Sequence, residues 1–251
     1  MQKIKIENRK EQNIAVIIEE NPQATGLAFV MHGLGGFKEQ PHVAIMAKSF
    51  AEAGYTVVRF DTTNTLGESD GDYADATVTN YYQDLEDVVA WAKSQVWYQE
   101  PFCLAGHSLG AICVTLFAEK FSKSILGLAP TSIILSQESF VGVVEDWRRD
   151  GYIGSRDGYK INNVPLKQGG KLFEDDLQKY DVTLNINNLK MPVLLVAGSK
   201  DELLKQNEIF YDKLMTEKEL HIIKNAPHTF REAEHLAELK NIFDNWLKKI
   251  T

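Results

Sequence analysis

The chain has 251 residues, 44% of them hydrophobic and 25% charged, ordinary globular values with enough apolar material for one large α/β domain or two small ones. The net charge of −8 is spread along the chain and argues against nucleic acid or an anionic membrane as a partner. No window approaches the roughly 18 apolar residues of a membrane span, and Met1–Lys10 lacks the apolar stretch of a secretory signal, so a cytoplasmic protein is expected.

Lys3 to Glu7 alternates, with Ile4 and Ile6 on one face, and Ile14 to Ile18 follows after a polar turn; a β-hairpin is expected. Gly26 to Met31 is a continuous apolar run, the pattern of a strand buried on both faces, and it ends in His32-Gly33-Leu34-Gly35-Gly36. Pro41 to Ala53 predicts a helix stopped by Gly54, and Thr56 to Phe60 a strand. A polar loop spans Asp61 to Thr79. From Asn80 to Trp97 the residues Tyr81, Leu85, Val88, Val89 and Ala92 fall on one helical face. The apolar strand Phe102 to Ala105, a helix from Ala111 and a short strand over Ile125–Leu128 come next. Pro192 to Ala197 predicts a buried strand, Leu203 to Leu214 a helix, Glu219 to Ile223 a strand, and His235 to Ile250 an amphipathic terminal helix. Strands alternating with helices imply βαβ units and a parallel sheet led by an antiparallel hairpin. Cys103 and Cys113 fall at core positions and are expected as buried hydrophobes rather than a disulfide.

One interval breaks the alternation. Residues 130–190 show no clear period and are rich in glycine and aromatics, including Trp147, Tyr152, Tyr159 and Phe173. So long a connection is expected to be an inserted lid, with 1–129 and 191–251 forming the core.

Chemistry concentrates at Gly106-His107-Ser108-Leu109-Gly110, a G-x-S-x-G between an apolar strand and a helix. A serine on so sharp a turn is crowded by strand and helix, and the flanking glycines remove the Cβ atoms that would clash. The turn lifts the Ser108 Oγ above the sheet and aims the Leu109 amide at the same point. A serine hydroxyl needs a base oriented by an acid, and on such an elbow the chain order is Ser, Asp or Glu, then His. Of six histidines, His228 is the candidate base, because Asn225–Phe230 is a loop at the carboxyl edge of the sheet where ligands bind. His221 lies in a strand and His235 at a helix start. Asp201 is the candidate acid, just past the Val193–Ala197 strand; it could instead cap the next helix, and Glu202 competes with it. The second oxyanion donor is expected from the Leu34 N–H, on the His-Gly turn.

These segments, with Arg59-Phe60-Asp61 and Gly67-Glu68-Ser69-Asp70-Gly71, make the chain resemble α/β-hydrolases over nearly its whole length. Within them it is similar to small bacterial serine esterases that include cinnamoyl and feruloyl esterases. The resemblance implies a mostly parallel eight-stranded sheet flanked by helices, with an inserted lid. It also implies a Ser108–His228–Asp201 triad, an oxyanion hole of Leu34 and Leu109, and no metal or organic cofactor. One departure is Thr62–Leu66, which lacks the Arg-Gly pair usual after that aspartate. The expected function is hydrolysis of small or medium acyl or aryl esters through an acyl-enzyme, by a monomer or homodimer. A thioesterase, lactonase or aminopeptidase with the same triad, or a non-catalytic ligand-binding scaffold, are the alternatives.

Overall fold

Gly26–Met31, Tyr55–Phe60, Phe102–His107 and Val193–Gly198 are buried along their whole length, as their apolar runs require of strands covered on both faces. In the computed structural model, which describes residues 1–137 and 171–250, all four are interior strands of one eight-stranded sheet. Its strands are β1 (Gln2–Glu7), β2 (Asn13–Glu19), β3 (Gly26–Met31), β4 (Tyr55–Phe60), β5 (Phe102–His107), β6 (Ile125–Thr131), β7 (Val193–Gly198) and β8 (Lys218–Ile223). The spatial order is β1-β2-β4-β3-β5-β6-β7-β8; β1, β2 and β4 pair antiparallel and all later pairs are parallel.

Side-chain alternation divides the core into two layers. Leu27, Phe29 and Met31 of β3 face a layer filled by α2 (Val78–Ala92) and α3 (Leu109–Lys120). Ala28 and Val30 face the other, filled by α1 (Pro41–Glu52) and the terminal helix α6 (Ala233–Ile250), where Phe50, Phe243 and Trp246 pack. Cys103 and Cys113 are free and buried, in opposite layers. Two shorter helices, α4 (Lys171–Leu177) and α5 (Leu204–Lys213), complete the described set. None of the described helices is long and apolar enough to cross a membrane.

Three boundaries differ from expectation. Helix α2 starts at Val78, capped by the Thr77 side chain accepting from the Asn80 N–H at 3.0 Å, and ends at Ala92 rather than Trp97. Trp97 still meets Trp91 edge-on at 5.8 Å, but from a turn, which imitates helical spacing. Strand β6 continues through Pro130 to Thr131, so the core reaches into the interval expected as a lid. At the interval's other end Phe173, Leu177, Val182, Ile186 and Leu189 join the α2–α3 layer. The remainder of that expectation falls on 138–170, outside the described residues.

Candidate active site

Ser108 sits between β5 and α3 with φ 55° and ψ −114°, a left-handed conformation strained for any residue with a Cβ. Its neighbours show why glycine flanks it. A Cβ on Gly106 would lie 2.5 Å from the Gly110 carbonyl oxygen, and one on Gly110 would lie 2.9 Å from the Met31 Cβ. The Ser108 N–H donates to the Thr131 carbonyl at 2.9 Å, tying the elbow to the end of β6. Leu109 is the first residue of α3, so its N–H belongs to a helix N-terminus, which favours negative charge.

Asp201 and His228 come from loops after β7 and β8, and those loops are laced together. The Lys200 N–H donates to the Ala226 carbonyl at 3.0 Å, and the Asn225 N–H to the Ser199 hydroxyl at 2.8 Å. Two residues near the base, Asn225 (φ 60°) and Phe230 (φ 50°), take left-handed conformations to turn the chain. The result is a 3.0 Å hydrogen bond from His228 Nδ1 to Asp201 Oδ1. The same oxygen accepts the Leu203 N–H at 2.9 Å, a turn ahead of α5, but Asp201 does not cap that helix, whose N-cap is Leu203. The Asp201 side chain is wholly buried, whereas that of His228 is 22% exposed. Burial alone would raise the Asp201 carboxyl, but the charge and hydrogen bond of His228 and the Leu203 N–H hold it below the usual carboxylate range. Glu202, the competitor, is exposed.

Leu34 lies in the turn Gly33–Gly36, closed by the Gly36 N–H donating to the Gly33 carbonyl at 2.9 Å. This turn abuts the elbow: a Cβ on Gly33 would lie 3.0 Å from the Ser108 Cβ. The structure therefore brings Leu34, Leu109 and Ser108 to one corner of the sheet edge, with Asp201 and His228 joined across it. Among the described residues no cluster of three His, Cys, Asp or Glu side chains could hold a metal ion.

A family model described as X-Pro dipeptidyl-peptidase (S15 family) matches residues 9–172, more than half of the chain. The chain belongs to the S15 family. A second model, described as PhoPQ-activated pathogenicity-related protein, matches residues 153–251. No curated protein matches the chain. Among solved structures, Est1E from Butyrivibrio proteoclasticus with ferulic acid bound has a TM-score of 0.79 at 21% identity, covering 98% of each chain. α/β-Hydrolase domain-containing protein 10 from mouse has a TM-score of 0.74 at 16% identity, covering 100% of each. An α/β serine hydrolase homologue from Coxiella burnetii has a TM-score of 0.68 at 20% identity, covering 98% of this chain and 97% of that one. Fold and family together make this S15 member an α/β-hydrolase and a serine hydrolase.

Sequence reasoning did not single out every residue that the structure places beside the candidate triad. His107, inside the elbow, lies across from the base: its Nε2–H donates to the His228 carbonyl at 2.8 Å, and the two rings lie 4.7 Å apart. On its other side stands His42 of α1, at 4.3 Å. Burial pushes the His107 imidazole well below its ordinary value, with His42 and His228 adding to the effect, so at neutral pH it is an uncharged donor. The only sequence signal was its place in Gly-His-Ser. The second G-x-S-x-G of the chain is structural, since the Ser69 hydroxyl donates to the Asp61 carbonyl at 2.7 Å and accepts the Ala15 N–H at 2.8 Å.

Proposed function

We propose that this protein is a serine carboxylic-ester hydrolase. Ser108 Oγ attacks the ester carbonyl as His228 takes its proton, the carbonyl oxygen becomes an oxyanion held by the Leu34 and Leu109 N–H groups, and His228 returns the proton to the departing alcohol. A water deprotonated by His228 then attacks the acyl-serine, and the acid leaves as Ser108 regains a proton. With Nδ1 committed to Asp201, Nε2 is the basic nitrogen. The observation that carries the reading is that hydrogen bond beside a serine held in a strained elbow at a helix N-terminus. The 130–190 interval leaves the sheet at the end of β6, against the elbow, and is proposed to carry the acyl or alcohol pocket. The bound ferulic acid of the Est1E structure supports aryl esters as substrates.

A second reading, cleavage of a proline-containing amide, is favoured by the description of the S15 family. Wild type and Ser108→Ala, assayed on p-nitrophenyl butyrate, methyl ferulate and alanyl-prolyl p-nitroanilide, separate the two. Ester turnover that disappears in Ser108→Ala is expected. Undiminished ester turnover in the folded variant would sink the proposal, and a kcat/KM for the anilide far above the esters would transfer it to the peptidase.

A further inference from the structure

The loop that carries Leu34 is held at both ends and in the middle. At its start, the His32 Nδ1–H donates to the Gly33 carbonyl at 2.7 Å while Nε2 accepts the Thr62 N–H at 3.0 Å, which fixes the ring's tautomer. Midway, the Tyr81 hydroxyl accepts the Gly35 N–H at 3.3 Å and the Thr65 hydroxyl donates to the Gly36 carbonyl at 2.6 Å. Lys38 closes the far end with four bonds. Its N–H donates to Asp61 Oδ1 at 2.6 Å, and its Nζ to Asp61 Oδ2 at 2.6 Å and Glu68 Oε2 at 2.5 Å. Its carbonyl accepts from the Arg59 guanidinium at 3.1 Å.

The pair is dry: the Lys38 side chain is 1% exposed and that of Asp61 0%. Burial opposes the ammonium charge, but its bonds to Asp61 and Glu68 hold Lys38 above its ordinary value. Burial likewise opposes the Asp61 charge, and the His32 ring, the Glu68 N–H and Lys38 overcome it. A buried ion pair is a weak device for stability, because an apolar pair of similar volume is often as stable or more so. Its distinctive property is geometry. One carboxylate grips both the main chain and the side chain of a single residue, and Gly67 gives it room, since a Cβ there would run into the carboxylate.

We propose that Lys38 is a positioning residue for the oxyanion site: locked to Asp61 through main chain and side chain together, it fixes the far end of the loop that carries Leu34 and abuts Ser108 at Gly33. The inference rests on the ester-hydrolase reading, in which charge develops on the carbonyl oxygen only in the transition state. Misplacing a donor by about 1 Å can lower turnover about 100-fold.

The test uses the full chain, Lys38→Met and Ser108→Ala in parallel on p-nitrophenyl butyrate, with active sites counted by end-point fluorophosphonate titration. Lys38→Met is expected to lower kcat per titrated site about 10- to 100-fold with KM changed less than about threefold. Its inhibition constant for a boronic acid, whose serine adduct is tetrahedral, should rise by a similar factor. If Lys38→Met does not fold, Glu68→Gln, which loosens the ammonium from its exposed side, is expected to lower kcat several-fold with the same KM and boronate pattern. Turnover per site within threefold of wild type, or a loss confined to KM with unchanged boronate affinity, would overturn the assignment of Lys38. A Ser108→Ala enzyme that still turns over would instead overturn the ester-hydrolase reading itself.

Discussion

One oxygen of Asp201 serves two donors, the His228 Nδ1–H at 3.0 Å and the Leu203 N–H at 2.9 Å. An amide can replace a carboxylate there without loss of volume, but it brings an NH2 group that can present a donor to His228. The ring then settles in the tautomer that leaves no basic nitrogen for Ser108. Asp201→Asn is therefore expected to fold and to lose on the order of 10⁴ in kcat, as in other triads with the same substitution. Steady-state kinetics on p-nitrophenyl butyrate check this, and a loss under tenfold would assign the role to another acid such as Glu202. Asp201, Ser108 and His228 stood out in the sequence because each follows a strand, where the chain is obliged to emerge at the sheet edge. Lys38, the partner of Asp61, did not, because a lysine between Phe37 and Glu39 has the look of a solvated residue. Only the tertiary fold removes it from water.

Helix α3 carries the elbow at one end and an anomaly at the other. Glu119, one residue before its C-terminus, is only 5% exposed, and its Oε1 has no hydrogen-bond partner among the described residues. Burial, with Asp181 adding, pushes its carboxyl up to about 8, and a negative charge at a helix C-terminus is unfavourable in any case. The folded chain holds a proton on Glu119 that the unfolded chain releases above about 4.5, so stability falls as pH rises from there to about 8 and stays reduced above it. Glu119→Gln is expected to match wild type near pH 5 and to exceed it near pH 9 by roughly 1–3 kcal/mol. Thermal unfolding of both proteins across that range checks this; a difference independent of pH would refute it. At this scale the sequence was informative about strands, whose apolar runs survive intact, and poor at ends. Strand β6 was expected over Ile125–Leu128, while in the sheet it runs on to Thr131 with Pro130 opposite Gly106.

Across the whole molecule, the sheet edge that holds the chemistry is also where uncharged histidines are sealed. His32, His42 and His107 are all buried, and His107 lies between His42 at 4.3 Å and His228 at 4.7 Å. The layered α/β architecture was legible from the alternation of strand and helix, but the His42–His107–His228 stack was not, since its members come from α1, β5 and the loop after β8 and meet only when the sheet forms. Burial lowers all three imidazoles, that of His42 to about 3. Each takes up a proton near 6.5 when unfolded and resists it when folded. Stability is therefore complete above about pH 6.5 and is lost as pH falls below it, at up to about 1.4 kcal/mol per pH unit for each histidine. His42 isolates the effect, because its Nε2 has no hydrogen-bond partner among the described residues and a phenyl ring can replace it against His107. His42→Phe is expected to leave the unfolding temperature at pH 7.5 nearly unchanged and to flatten its decline between pH 6.5 and 4.5. Parallel declines in the two proteins would show that His42 titrates alike in both states and that acid sensitivity lies elsewhere.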